Sequence, residues 1–373
     1  MSAHLYLEQM LRRALHERVT PGLAFGVAQG DAIRFTFHGG RLSHLSDDAA
    51  VGPETVFDLA SLTKPITTVT WALRLIEAGR LSLGDAIGDH VEVADLVLAR
   101  EPVSRLLTHT SGLPAHREYF RGLLPHVRAS GGFETARTTI GRMVRGTRLE
   151  GAPGEREVYS DLGFLLLERI CEAVDAPLAQ IWPTLPLHGP GALRFRPLPA
   201  AVRPELPSGR YAATEVCALR GGLVRGEVHD ENAWTCGGIC GHAGLFGRLS
   251  DVLAFGQAVV AGWQRGEGPL GIGQALWRHV NASQWINRTG TRVIGWDTPS
   301  PGQSSAGRHF GSQTIGHLGF TGTSLWIDLE AGVVMVLLTN RVCPTRENIA
   351  IRALRPAVHD AAWGLFDPPQ ESR

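Results

Sequence analysis

Ser61 and Lys64 stand three residues apart in the run Phe57-Asp58-Leu59-Ala60-Ser61-Leu62-Thr63-Lys64-Pro65. Lys64 is the only lysine in a chain with 36 basic residues, the rest being arginine. A guanidinium stays charged at any working pH, whereas an ammonium shifts its pKa readily when it is buried or set beside other charges. An amine kept at this one position therefore suits a proton-transfer role that arginine cannot fill. Residues at i and i+3 of a helix lie on one face, so the two side chains can meet. A serine hydroxyl becomes a useful nucleophile once a neighbouring base removes its proton. A serine at the start of a helix also has its backbone N–H free to hold an oxyanion. The chemistry these residues could do together is nucleophilic attack by a serine with an amine as its base.

Two later segments extend the pattern. Val158-Tyr159-Ser160-Asp161-Leu162-Gly163 follows the turn Ala152-Pro-Gly-Glu155, and Gly316-His317-Leu318-Gly319-Phe320-Thr321-Gly322-Thr323 opens a late strand. Together with Ser61-Leu-Thr-Lys64 they resemble the S-x-x-K, Y-x-N and K-T-G signatures of the serine β-lactamase and penicillin-binding-protein superfamily. The resemblance is closest to the branch of class C β-lactamases, carboxylesterases and D-aminopeptidases. It runs over nearly the whole chain. Leu106-Leu-Thr-His-Thr-Ser-Gly-Leu-Pro114 is similar to the family's loop between the first two motifs. Gly226 to Ala233 and Gly241 to Phe246 are similar to its later cleft loop and the helix entry after it.

The resemblance implies a role for each matched residue. Ser61 would be acylated, with Lys64 and Tyr159 sharing the general-base and proton-shuttle work. The backbone N–H groups of Ser61 and Phe320 would form the oxyanion hole. Asp161, His317 and Gly319 would bind substrate, Gly319 by letting it lie close against an edge strand. No metal or organic cofactor is implied. Two residues depart from the signatures. His317 stands where lysine is usual, and a mostly neutral imidazole is a poor anchor for a β-lactam carboxylate. Asp161 stands where asparagine is usual. A carboxylate cannot donate to a substrate carbonyl, but it can hold Lys64 protonated or accept from a free amine on the substrate.

The elements that must position these residues are legible in part. Gly22 to Ala28 and Ala32 to Phe37 flank Gly30-Asp31 as a hairpin. Ile66, Val69, Leu73 and Ile76 recur at helical spacing, predicting a helix from about Ser61 to Ala78 that stops at Gly79. Pro65 requires an irregular first turn. Residues 80 to 310 read as helices and loops, with helices at Phe164–Ile170 and Ser250–Trp263 and a Pro-rich stretch from Pro183 to Pro207. Strand patterns return at Thr323–Asp328 and Val333–Thr339 around Glu330-Ala-Gly332, and a closing helix is expected over Arg346–Trp363. Strands at both ends with helices between imply an α/β fold: an antiparallel sheet built from both termini, flanked by helices, with a mostly helical second lobe. This is the β-lactamase/transpeptidase-like fold that the resemblance implies. The lobes are expected as residues 1–80 with 310–373, and 81–309, with the active-site cleft between them.

Other polar residues read as support. His229, Asp230 and Glu231 are expected to brace a loop, and His109 to be structural. Thr314, Trp296 and Asp297 fit either cleft lining or packing. Cys236 and Cys240, with His242 nearby, lack a second pair to complete a tetrahedral metal site. The five cysteines are odd in number and scattered, which predicts free thiols. The first 19 residues have no uninterrupted apolar run and read as an amphipathic helix with Leu5, Leu7, Met10, Leu11 and Leu15 on one side.

Basic and acidic residues balance at 36 each, with no sustained basic run, so nucleic acid and anionic membranes are not expected partners. The longest apolar candidate, Val333–Leu338, is too short to cross a bilayer. These readings predict a cytoplasmic serine hydrolase that forms an acyl-enzyme on Ser61 and hydrolyses small esters or amides. A D-aminopeptidase or muropeptide amidase is the alternative within the same chemistry. A penicillin- or peptide-binding sensor with little turnover is the alternative of another class.

Overall fold

The structure is a computed structural model and describes residues 2–45, 47–187, 193–198, 210–266 and 268–366. Its framework is a seven-stranded antiparallel sheet. The strands are β1 (Gly22–Gln29), β2 (Ala32–Gly40), β3 (Arg292–Val293), β4 (Trp296–Asp297), β5 (Thr314–Leu318), β6 (Ser324–Asp328) and β7 (Val333–Thr339). Their order across the sheet is β2-β1-β7-β6-β5-β4-β3. The first strand and the last are therefore neighbours, with Leu23 opposite Thr339 and Gln29 opposite Val333. The hairpin at Gly30-Asp31 forms as expected, and Gly30 takes the left-handed conformation that the turn needs.

The faces of β1 and β7 alternate as the strand period requires. Leu23, Phe25, Val27, Val333, Met335 and Leu337 pack under α1 (Ala3–His16) and the closing helix, Ile351–Ala362. Leu7, Leu11 and Ala14 are the buried stripe of α1, while Leu5 is exposed, outside the apolar face assigned to it. The opposite sheet face carries Ala24, Ala28, Val334, Val336 and Leu338 into the main core. The helix Leu249–Arg265 lies against that face, close enough that a Cβ on Gly256 would sit 2.4 Å from Val334 Cγ1. The closing helix starts at Ile351, later than the sequence spacing suggests. The preceding residues are held in a loop instead, where Arg346 pairs with Glu215 and Glu231.

The predicted helix from Ser61 to Ala78 is three pieces in one run. Ala60–Leu62 is a 3-10 turn, Lys64–Val69 a wider π-type turn, and α2 spans Thr70–Glu77. Pro65 has no N–H to donate one turn back, and the backbone accommodates this by widening. Gly79, in the left-handed conformation, follows its end. A further helix, α3 (Asp161–Val174), begins at the Tyr159-Ser160-Asp161 segment, with Ser160 as its N-cap. In chain order Leu249–Arg265 is α4 and Ile351–Ala362 is α5. Residues 188–192 and 199–207 of the Pro-rich stretch lie outside the described residues. No helix among the described residues is long and apolar enough to cross a membrane.

Candidate active site

Ser61 sits on a turn fixed from below. The buried Asp58 carboxylate accepts from Ala60 N–H at 2.8 Å and from His229 N–H at 2.7 Å. Ala60 is left-handed at φ 48°, an uncommon conformation for a residue with a Cβ. The result is a sharp entry into the helix run that presents Ser61 at the wall of a cleft of about 600 Å³.

Lys64 is completely buried behind it. Its Nζ donates to Ser61 Oγ at 3.1 Å, to Asp161 Oδ1 at 2.7 Å and to the His242 carbonyl at 3.1 Å. Those are the three donors of an ammonium, all used. Burial works to lower the Lys64 pKa, but the charge and hydrogen bond of Asp161 outweigh it and hold the pKa above the usual lysine value. The Asp161 carboxyl is in turn held below its usual range: burial opposes this, and Lys64, His116 and His242 overcome it. The amine expected to give up its proton is thus an ammonium at rest, and the residue responsible is the aspartate in the asparagine position.

Tyr159 lies over the pair, with Lys64 Nζ 4.8 Å from its ring centre. Its hydroxyl is buried without a hydrogen-bond partner in the resting arrangement. Burial raises the Tyr159 pKa, and the nearness of Lys64 and Ser61 works against that rise. His109, left-handed at φ 57°, backs the ring at 4.6 Å and accepts from Ser160 N–H at 2.9 Å. Arg292 caps another approach, its Cζ 5.1 Å from the Tyr159 ring centre.

The third segment closes the cleft from the sheet. β5 pairs with β4 only at Gly316–Asp297, which leaves its end beyond that pair open towards the cleft. Burial, with Lys64 and Arg292 nearby, lowers the His317 pKa to about 3, so the ring is neutral. Its Nδ1 is 2.8 Å from the Leu318 carbonyl and must be the protonated nitrogen. Nε2 is left as a buried lone pair without a partner. The glycine requirement at Gly319 comes from the chain itself, since a Cβ there would lie 1.9 Å from Thr323 Oγ1 and 2.7 Å from the Leu59 carbonyl. Thr321 and Thr323 hydroxyls donate to the Asp58 and Leu59 carbonyls at 2.8 and 3.1 Å. The strand end is thereby stitched to the Ser61 turn. Neither Ser61 N–H nor Phe320 N–H donates within the described residues, and both residues line the cleft, so two backbone donors are available there.

Further groups line the cleft that no motif marks. His116 reaches Asp161 Oδ2 at 3.3 Å. Arg341 and Arg346 lie against the half-exposed Phe320 ring, which His229 stacks at 5.6 Å. Arg355 donates to the Gly319 and Thr323 carbonyls, both at 3.0 Å. Arginine is too frequent in this chain for any one to stand out, and these come from segments remote in sequence. His229, Asp230 and Glu231 brace a loop and also line the cleft. Of the ambiguous trio, Asp297 lines the cleft, while Trp296 and Thr314 are buried. His242 pairs with Asp230 at 3.0 Å, and the five cysteines are free and buried.

A sequence model of the family described as Beta-lactamase matches residues 7–359. A Salmonella agona protein named "Putative D-alanyl-D-alanine carboxypeptidase" is 28% identical over 317 residues, spanning 77% of this chain and 69% of its own. Among solved structures, EstCE1, described as a hydrolase with promiscuous acyltransferase activity, superposes with a TM-score of 0.69 at 20% identity. That match covers 96% of this chain and 98% of EstCE1. The octameric penicillin-binding protein homologue from Pyrococcus abyssi gives 0.68 at 22% identity, over 94% of this chain and 76% of its own.

Proposed function

The chain belongs to the Beta-lactamase family of serine hydrolases, and from that premise we propose that it hydrolyses small esters or amides through an acyl-enzyme on Ser61. The observation that carries this reading is Ser61 Oγ at the cleft wall, 3.1 Å from the only lysine and beside two unoccupied N–H groups. In the proposed reaction Ser61 Oγ attacks the substrate carbonyl carbon. Its proton passes through the Lys64–Tyr159 pair to the leaving alcohol or amine. The oxyanion sits between the N–H groups of Ser61 and Phe320. Water then repeats the attack on the acyl-enzyme and frees Ser61. With Lys64 an ammonium and Tyr159 a phenol at rest, the reactive form of the pair carries one proton fewer.

The substrate class follows from the two departures. Neutral His317 offers a lone pair where a cation would hold a β-lactam carboxylate, so penicillins and cephalosporins are proposed to be poor substrates. Asp161 can accept from a free amine on the substrate, which makes a D-amino-acid amide the second reading; such an amine would compete with Lys64 for the carboxylate in a cleft also lined by arginines. The five buried free thiols suit a reducing compartment, and the cytoplasm is the proposed location. Covalent labelling by a fluorophosphonate, with turnover of p-nitrophenyl acetate, tests the reading. Labelling without turnover would identify an acylated sensor, and an adduct on another serine would overturn it. Comparing kcat/KM for a short-chain ester, a D-alanine anilide and a chromogenic cephalosporin tests the class. A large advantage for the cephalosporin would refute it.

A further inference from the structure

Asp161 has two oxygens and two nitrogen partners. Oδ1 takes Lys64 Nζ at 2.7 Å, and Oδ2 faces His116 Nδ1 at 3.3 Å. Lys64 reaches on to Ser61 Oγ at 3.1 Å, so an unbroken hydrogen-bonded chain runs from the serine to an imidazole that is 40% exposed. The placement of His116 is built. Asp161 N–H donates to the Ala115 carbonyl at 2.9 Å, and Ser160 Oγ donates to the Pro114 carbonyl at 2.6 Å. Beyond it, Asn232 Nδ2 donates to the Arg117 carbonyl at 2.8 Å and Asn232 Oδ1 accepts from Phe120 N–H at 3.0 Å. The loop is tied down on both sides of the ring.

We propose that His116 is a positioning residue that stores the proton Lys64 must give up before Ser61 can react. This rests on the acyl-enzyme reading above. Nδ1–H stays on the carboxylate, and the stored proton binds Nε2 from solvent as one leaves the buried Lys64 Nζ for the cleft by way of Ser61 Oγ. The pair exchanges ammonium plus imidazole for amine plus imidazolium. Net charge around Asp161 is unchanged, so the carboxylate always has one full cation and the amine form of Lys64 is reached without raising the pH. The surroundings support the exchange. His116 is faced by Asp161, Asp230 and Glu231, with Glu118 and Arg117 beside it in the chain, while Lys64 and His242 face Asp161 from the other side. The hydrogen bond to Asp161 raises the affinity of His116 for a proton, burial opposing it. Coupling is reciprocal, so a proton on His116 loosens the one on Lys64.

The test is the pH profile of Ser61 acylation by p-nitrophenyl acetate. The wild type is expected to hold a plateau above the His116 titration. Total protons on the pair are then fixed, and the reactive exchange form is a constant fraction. His116→Gln keeps a hydrogen bond to Asp161 but cannot store a proton. It should react about tenfold or more slowly at pH 7, with its rate rising about tenfold per pH unit and KM unchanged. His116→Arg supplies a permanent cation and should restore the rate at pH 7. A wild-type profile in His116→Gln, or an equal loss at every pH in both variants, overturns the proposal. Absence of any adduct on Ser61 in the wild type would instead overturn the acyl-enzyme reading.

Discussion

At the scale of single residues, two substitutions separate nucleophile from proton handling. Ser61→Ala removes the hydroxyl that Lys64 Nζ holds at 3.1 Å at the cleft wall. Covalent labelling should vanish and ester turnover fall by several orders of magnitude, as at other serine-hydrolase nucleophiles; mass spectrometry of the labelled protein checks it. Lys64→Arg keeps a cation beside Asp161 but cannot release a proton. Acylation should drop by about 10²-fold or more while the fold survives, read by stopped-flow burst and circular dichroism. Near-normal acylation in that variant would leave Tyr159 as the sole base. The sequence identified Ser61, Lys64, Tyr159 and Asp161 by type and order, and the structure brings them within contact. The sequence offered Asp161 holding Lys64 protonated as one of two roles without deciding between them, because ionisation depends on what faces a group across space, here Asp161, 97 residues away in the chain. His116 was missed for the same reason: a lone histidine in a loop gives no signal until Asp161 is seen beneath it.

At the scale of elements, the site depends on how closely the end of β5 approaches the Ser61 turn. Gly319→Ala places a methyl against Thr323 Oγ1 and the Leu59 carbonyl. The strand end must then move away, carrying Phe320 N–H with it. The expected loss is about 10²–10³-fold in kcat, the size found when one oxyanion donor is removed. Substrate binding should change less, and a Michaelis–Menten analysis separates the two. The hairpin, both late strands and the helices at Asp161–Val174 and Leu249–Arg265 were legible because their apolar periods are clean. The run from Ser61 was legible as helical but not as a 3-10 turn followed by a π-type turn, since Pro65 signals irregularity without saying which kind. The short strands β3 and β4 were not read at all. Two residues carry no period; pairing with β5 defines β4, and pairing with β4 defines β3.

At the scale of the whole molecule, buried histidines set the response to acid. Burial lowers the pKa of His317 to about 3 and of His359 to about 4, from an ordinary value of 6.5. Each is neutral when folded and takes a proton more readily when unfolded. The stability they contribute is present above pH 6.5 and is lost as pH falls towards their folded values. Asp48 and Asp230, held down to about 2, lose theirs only at lower pH, between the usual carboxylate range and 2. His242 has the opposite sign: Asp230 raises it to about 10 against the effect of burial, so its contribution is lost as pH rises through 10. Urea midpoints should therefore decline between pH 7 and 5, before carboxylates titrate. In His359→Gln the decline should be shallower, whatever the variant's absolute stability. An equal slope in the two proteins would show that His359 does not drive the acid response.

The pairing of the first strand with the last has a consequence for synthesis. β1 emerges with β2 on one side, but its other neighbour, β7, is made only after every other strand of the sheet. Throughout translation the nascent hairpin presents an unpaired edge and the apolar row Leu23, Phe25 and Val27 that α1 alone cannot fully cover. Ser61 and Lys64 wait as long, since the strand end and the arginine that steady their turn come from residues beyond 313. Closure of the sheet and completion of the cleft are thus one event, and it waits for β7 and the helix after it. A chain released before β7 would be both inactive and adhesive.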